Sequence, residues 1–188
     1  LMQQAVPVGL GAMAAILGLD DADVIAACRE AANIGVVEAV NFNAPAQVVI
    51  AGEAEAVQAA MKNAIDKGAK RVLILPVSVP AHSSLMRPAA AQLADALEAI
   101  EFHQPLIPVV QNVAARVEAD SKAMRQALVA QLYSPVKWVG TVEWLAAQGV
   151  TRVIECGPGK VLCGLNKRIS KGLTCESLET SNSLAAAL

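Results

Sequence analysis

The chain has 188 residues, a formal net charge of −2, 17% charged residues and 55% hydrophobic residues. This length can bury a sizeable core as one domain or two small ones, and this composition excludes a disordered chain. The small negative charge and the lack of a Lys/Arg cluster argue against a nucleic-acid partner, and no apolar run is long enough to span a bilayer. We therefore expect a soluble α/β protein with neither nucleic acid nor membrane as a partner.

The cysteines are the first candidates for a metal site or a covalent framework. The four of them include no C-x-x-C pair and have no histidine at ligand spacing: Cys28, Cys156, Cys163 and Cys175. This pattern favours neither a disulfide framework nor a zinc site. We expect no bound metal and a reducing, cytoplasmic environment.

The first part of the chain predicts a compact alternation of strands and helices. The expected elements are a buried strand over 11–18, a helix begun by Asp20 and Asp21, strands over 36–43 and 47–52, a helix ended by Gly68, and a strand over 71–75. The order β-α-β-β-α-β is the split βαβ, or ferredoxin-like, pattern. It predicts a four-stranded antiparallel sheet across residues 9–78, with a hairpin at the short Asn43–Ala46 turn.

After Val79, helices and strands alternate in a different way. The expected elements are a helix carrying Leu93, Leu97 and Ile100, a strand over 106–110, a helix capped by Asp120 or Ser121, a helix over 138–148, a strand over 152–156 and a helix over 160–170. Such alternation suggests part of a parallel sheet whose two strands are buried on both faces.

The segment that joins these two parts carries the strongest functional signal. Pro76 and Pro80 bracket a turn after a predicted strand, and His82 stands where the next helix begins. Ligands collect at the carboxyl ends of strands in open α/β sheets, and histidine takes and gives a proton near neutral pH. A loop histidine without a task is the alternative. Because Ser83 or Ser84 can cap the following helix, we take His82 as the first candidate for a general base.

Other motifs give weaker signals. Gly157-Pro158-Gly159-Lys160 fails as a phosphate loop, because Ile154 stands where the first glycine is required and Val161 where Ser or Thr is required. A tight turn between a strand and a helix is the better interpretation. His103 reads as a surface position, and no G-x-S-x-G nucleophile elbow occurs. The residues alone therefore indicate a base without its nucleophile.

Four segments in order resemble the bacterial malonyl-CoA:acyl-carrier-protein transacylases of fatty-acid synthesis. They cover residues 41–52, 75–82, 131–138 and 155–162, and the resemblance spans essentially the whole chain. It implies an α/β fold with a ferredoxin-like (split βαβ) small domain at residues 9–78. Residues 1–8 and 79–188 would form the C-terminal part of a hydrolase-like parallel α/β acyltransferase domain.

The resemblance also implies the roles of three residues. His82 matches the catalytic histidine, and Gln131 matches the residue whose backbone carbonyl holds that imidazole, as the Asp does in a Ser-His-Asp triad. Asn43 matches a substrate-binding position near the acyl pocket. Malonyl-CoA and acyl carrier protein are the implied partners. No cofactor or metal is implied, because the CoA thioester is a substrate.

The departures from the family pattern concern its first part. The Gly-Gln-Gly-Ser oxyanion segment, the Gly-His-Ser-Leu-Gly elbow and the arginine that pairs with the malonyl carboxylate all precede the region matched here. Since the chain opens Leu1-Met2-Gln3-Gln4, it reads as the C-terminal portion of a longer enzyme, inactive by itself. Val79–His82 replaces the aromatic-containing tetrapeptides that sort relatives, so malonyl and methylmalonyl specificity both stay open.

The expected function is transfer of a malonyl group from CoA to the phosphopantetheine thiol of acyl carrier protein. The implied route in the intact protein is a ping-pong mechanism with a serine acyl-enzyme. Two alternatives stay open: a serine thioesterase or hydrolase of the same fold, and a non-catalytic ligand-binding module in which His82 is structural. An elbow serine with a carboxylate-binding arginine would select the transacylase.

Overall fold

The first part of the chain forms a four-stranded antiparallel sheet. The computed structural model describes residues 1–181, 184 and 185. A short helix, α1 (Met2–Ala5), precedes the sheet. The strands are β1 (Gly11–Leu17), β2 (Val37–Ala44), β3 (Gln47–Glu53) and β4 (Arg71–Ile74), in the order β2-β3-β1-β4. Every neighbouring pair is antiparallel, and β2 and β3 form the hairpin that their short turn predicts.

Two helices, α2 (Asp21–Ala31) and α3 (Ala54–Asp66), pack together against one face of this sheet. Helix α3 presents Ala56, Ala60 and Ala64 at intervals of four residues, and all three are fully buried. Residues at this spacing share one helix face, and their small side chains allow a close approach to the sheet. The core between the layers contains Ile16, Val24, Val48, Ile50 and Val57.

The opposite face of the sheet carries a second apolar cluster. Strand residues alternate between faces, so Met13 and Val49 point away from α2 and α3. They join Val40 and Ala51 in this cluster, against which Leu75 and Ala81 pack. The second face therefore supports the segment that leads to His82.

The second part has more helix than sheet. Its elements are a 3-10 helix (Ser84–Met86), α4 (Arg87–Glu98), β5 (Val110–Gln111), β6 (Arg116–Val117), α5 (Ser121–Gln131), α6 (Trp138–Ala147), β7 (Arg152–Cys156), α7 (Val161–Ile169) and β8 (Thr174–Leu178). The Asp120 carboxylate accepts the Ala123 backbone N–H at 2.8 Å, which confirms this residue as the cap of α5. Strand β8, absent from the sequence prediction, pairs in parallel with β7. None of the helices in the described residues combines the length and apolar character that crossing a bilayer requires.

The predicted strand over 106–110 is wrong. Only Val110 lies in a strand, and β5 pairs with β6 in a two-residue hairpin. Leu106 is fully exposed and Ile107 is 77% exposed, while Ile154 of β7 is also exposed rather than buried. An apolar run becomes a buried strand only beside a neighbouring strand. Within the described residues, the segment preceding Val110 pairs with no such neighbour.

The expectation of no disulfide is also contradicted. Cys163 and Cys175 form a disulfide that joins α7 to β8, with 5.2 Å between their Cα atoms. The Glu155 carboxylate lies near both sulfurs and accepts the backbone N–H groups of Leu162 and Cys163 at 3.0 and 2.8 Å. Since neither sulfur is a thiolate, this group links β7, α7 and β8 structurally. Cysteine spacing alone does not reveal which elements will pack together.

Thiol counting should distinguish the four cysteines. In the folded chain we expect only the exposed Cys156 to react with a thiol reagent. Burial, with a smaller contribution from the Glu38 charge, raises the pKa of the Cys28 thiol to about 12 and leaves little reactive thiolate. Denaturation should expose one further thiol, and denaturation with reduction should expose all four. Four reactive thiols in denatured, unreduced chain would contradict the disulfide.

Candidate functional site

His82 lies on a tight turn that follows β4. The Leu75 backbone N–H donates to the Met13 carbonyl at 2.8 Å, so the chain follows β1 for one residue beyond β4 before it turns. His82 itself has a φ of +66°, in the left-handed region that a residue with a side chain rarely adopts. Such conformations persist only where the surroundings fix them, and they cluster at functional sites.

The structure brings His82 and Gln131 together across 49 positions of sequence. The Nδ1 atom of His82 lies 2.6 Å from the Gln131 backbone carbonyl oxygen. A carbonyl oxygen only accepts hydrogen bonds, so the neutral imidazole carries its proton on Nδ1. Nε2 is then the ring nitrogen that accepts a proton. The His82 backbone N–H also donates to the Leu132 carbonyl at 2.9 Å.

The position of Gln131 at the end of α5 explains why its carbonyl is free to accept. The last carbonyls of a helix have no partner within the helix, and they carry the negative end of its dipole. The Gln131 side-chain amide donates to the Ser134 carbonyl at 3.0 Å and so fixes the turn that follows. The carbonyl of a helix terminus thus contacts Nδ1 of His82, the ring nitrogen that a carboxylate contacts in a Ser-His-Asp triad.

The segment after α5 is attached to the four-stranded sheet. Val136 donates its backbone N–H to the Val40 carbonyl at 2.8 Å and accepts the Phe42 N–H at 2.9 Å. These bonds form a parallel bridge beside Asn41. The chain that carries Gln131 is therefore held to the same sheet that supports the His82 turn.

Asn43 lies on this strand at a register irregularity between Phe42 and Ala44. Its side chain is partly buried and, within the described residues, makes no hydrogen bond to His82 or Gln131. The structure therefore does not bring Asn43 into the pair. His103, interpreted as a surface position, is indeed exposed, and its ring lies 3.8 Å from the Glu101 carboxylate.

Neither serine caps the helix after His82. The fully buried Ser83 hydroxyl donates to the Pro80 carbonyl at 2.7 Å. The Ser84 backbone N–H donates instead to the Glu38 carboxylate of β2, at 2.7 Å. The capping group thus comes from a strand 46 positions away. Sequence reasoning missed Glu38 because a partly buried strand glutamate carries no local capping signal.

The turn also approaches the start of β1 closely. A Cβ added to Gly11 would lie 2.5 Å from the Pro80 Cδ atom and 2.6 Å from the Ser78 carbonyl oxygen. Both distances are shorter than real Cβ contacts allow. Glycine at position 11 is therefore required for the turn to rest on β1.

An α/β fold that orients one imidazole through a backbone carbonyl is suited to proton transfer during group transfer. Several known proteins are similar to this chain in sequence. No family model matches the chain. It is 56% identical over 187 residues to the malonyl CoA-acyl carrier protein transacylase of Escherichia coli K12, and 41% identical over 181 residues to that of Staphylococcus aureus MSSA476.

Solved structures agree with these sequence relatives. A malonyl-transacylase in complex with a type II PKS acyl-carrier protein matches with a TM-score of 0.97 and 52% identity. The malonyl-CoA:acyl carrier protein transacylase of Xanthomonas oryzae matches with a TM-score of 0.96 and 54% identity. All of this chain is covered in each of these two matches. The chain spans 60% of the length of each solved protein, and 60% of the length of the E. coli relative. The resemblance and the mixed α/β fold are thereby confirmed.

We expect Gly11→Ala to lower the free energy of unfolding by about 1–3 kcal/mol, because the new methyl group must displace the Ser78–Pro80 turn. Urea unfolding followed by circular dichroism measures this change. Gly172→Ala is the matched control, since a Cβ at position 172 meets no atom within 4 Å. Equal stability of the two variants would show that the turn is not held against β1.

Proposed function

We propose that this chain is part of an enzyme that transfers a malonyl group from malonyl-CoA to the phosphopantetheine thiol of acyl carrier protein in fatty-acid synthesis. The main support for this proposal is the 2.6 Å contact between His82 Nδ1 and the Gln131 carbonyl, because it leaves Nε2 available as a base. The names of the relatives and the carrier-protein complex of one structural neighbour support the substrates. The chain spans 60% of the length of these relatives.

The mechanism follows from the orientation of the imidazole. Nε2 of His82 takes the proton of a serine hydroxyl supplied from outside this chain, and the serine oxygen attacks the thioester carbonyl. The C–S bond breaks, and the imidazolium protonates the departing CoA thiolate. The carrier-protein thiol then gives its proton to Nε2, and its sulfur attacks the serine ester. The C–O bond to the serine breaks, and the imidazolium returns the proton to the serine oxygen. These steps use neither a metal nor a further cofactor.

Gln131 and Asn43 complete the proposed site. The Gln131 carbonyl keeps the proton on Nδ1 and stabilises the imidazolium that forms in each half-reaction. Asn43 would lie beside the acyl pocket, on the edge strand of the sheet. We further propose that residues 9–78 are a ferredoxin-like small domain, and that residues 1–8 and 79–188 belong to a hydrolase-like parallel α/β domain. The β2-β3-β1-β4 order and the parallel β7–β8 pair support this division. The similarity to the transacylase relatives supports a cytoplasmic location for the enzyme.

A chimera tests the role of His82. The 187 matched residues of the E. coli transacylase are replaced by this chain, and malonyl transfer to acyl carrier protein is measured. We expect His82→Ala to reduce transfer by at least about a thousandfold, because no other group takes the serine proton. His103→Ala, which changes the exposed second histidine, should leave transfer intact.

Near-normal transfer by the His82→Ala chimera would remove this residue from the mechanism. Release of malonate to water, without transfer to the carrier protein, would favour a hydrolase instead.

The 188-residue chain alone should transfer no malonyl group from malonyl-CoA to acyl carrier protein, because it contains no G-x-S-x-G elbow. Ser83 is fully buried, and its hydroxyl donates to the Pro80 carbonyl, so it cannot replace the elbow serine. A radiolabelled malonyl transfer assay measures this directly. Transfer above the level of a His82→Ala chain would require a nucleophile within these residues.

A further inference from the structure

Glu38 is a carboxylate at a partly buried strand position, where charged residues are uncommon. It lies in β2, is partly buried, and its Oε2 atom accepts the Ser84 backbone N–H at 2.7 Å. The pKa of the Cys28 thiol is raised mainly by burial, and the negative charge of Glu38 is the smaller cause. Glutamate is depleted in strands, and a partly buried carboxylate must be compensated by strong hydrogen bonds. The residue therefore calls for an explanation beyond the fold of the sheet.

The Ser84 N–H provides that compensation. Hydrogen bonds from a backbone N–H to a carboxylate are stronger than neutral ones. Ser84 is also the first residue of the 3-10 helix that runs into α4, where the exposed N–H groups favour a negative charge. Glu38 is thus the capping residue of the helix that begins two positions after His82.

This cap bears directly on the conformation of His82. The left-handed φ of His82 is unfavourable for a residue that carries a Cβ atom, so neighbouring contacts must maintain it. The N–H of His82 itself donates to the Leu132 carbonyl, and the N–H of Ser84, two residues later, donates to the Glu38 carboxylate. The two bonds hold the turn from both sides. Without the second one, the backbone at His82 can relax and carry the imidazole away from Gln131.

We propose that Glu38 is a positioning residue for the proposed transfer reaction: its carboxylate holds the Ser84 backbone so that His82 keeps Nδ1 on the Gln131 carbonyl. The mechanistic part of this inference rests on the proposed function. The effect of Glu38 on the orientation of the His82 ring can be measured without any enzymatic activity.

Nuclear magnetic resonance of the 188-residue chain tests the positioning. Labelling histidine with nitrogen-15 in a His103→Gln background leaves His82 as the single labelled ring, since the chain has two histidines. The unmodified turn should show a protonated Nδ1 with slow hydrogen exchange. Glu38→Ala should make that exchange at least about tenfold faster, whereas Glu38→Gln keeps an acceptor oxygen and should restore most of the protection. Unchanged exchange in Glu38→Ala would overturn the proposal.

A second variant removes the same hydrogen bond from its other end. Ser84→Pro eliminates the N–H donor at the first helical position, where proline is tolerated. Ser83 is already extended, with φ −97° and ψ 164°, as a residue before proline must be. Ser84→Pro should accelerate Nδ1 exchange as Glu38→Ala does, and the double variant should add nothing further. Independent effects that add in the double variant would contradict a single shared bond.

Glu30→Ala is the matched control for loss of a carboxylate. Glu30 pairs with Lys67 at 2.7 Å on an exposed part of the helical layer, away from the turn. It should leave the exchange of the His82 Nδ1 proton unchanged. If Glu30→Ala accelerates exchange as much as Glu38→Ala, the effect is general destabilisation, and the positioning role is refuted.

The chimera with the E. coli relative separates the two proposals. Glu38→Ala should lower kcat by roughly 10-fold to 100-fold through misplacement of the base, with little change in the KM for malonyl-CoA, and Glu38→Gln should recover most of the rate. A Glu38→Ala chimera with normal kcat, beside an inactive His82→Ala chimera, refutes the role of Glu38 alone. Full activity of the His82→Ala chimera refutes the proposed function, while the exchange measurement still decides the positioning.

Discussion

The contact between the His82 imidazole and the Gln131 carbonyl depends on how two distant segments are fixed to one sheet. His82 follows β4 on a turn that packs over the second face of the sheet, against Met13 and Val40. Gln131 ends α5, and the segment after it bonds to β2 through Val136. A hydrogen bond of 2.6 Å tolerates little relative movement of its partners. The geometry of this contact therefore depends on backbone hydrogen bonds to β1 and β2.

Sequence patterns predicted the parts of the fold that depend on local forces. The apolar run of β1, the helix spacing in α3 and the cap at Asp120 follow from neighbouring residues, so the elements lie close to their expected bounds. The hairpin of β2 and β3 was predicted because a short turn allows no other pairing. His82 was also found from its setting, although the partnership with Gln131 required the family resemblance.

The errors share a different physical origin, because each depends on contacts between residues far apart in the chain. Among the residues that the structure describes, the apolar run before Val110 pairs with no strand, and Cys163 meets Cys175 because α7 packs on β8. Serines beside His82 satisfied the local rule for a cap, yet a carboxylate from β2 occupies that role. Local pattern gives the type of an element, whereas its partners are decided by packing that no short window of sequence records.

These long-range contacts also determine how firmly the site is held. The sheet of the first part is covered on both faces, by α2 and α3 on one side and by the segment that carries Leu75 and Ala81 on the other. The second part leaves large apolar side chains such as Leu106 and Ile107 exposed. His82 is attached to the covered part, and Gln131 is carried by the other. The rigidity of the site therefore depends on the hydrogen bonds that join the two parts. In one of them the His82 N–H donates to the Leu132 carbonyl, and in another the Arg168 guanidinium donates to the Pro45 carbonyl at 2.8 Å. Glu38 adds a further bond of this kind, because it anchors the helix after His82 to β2 and so ties the orientation of the imidazole to the sheet that is covered on both faces.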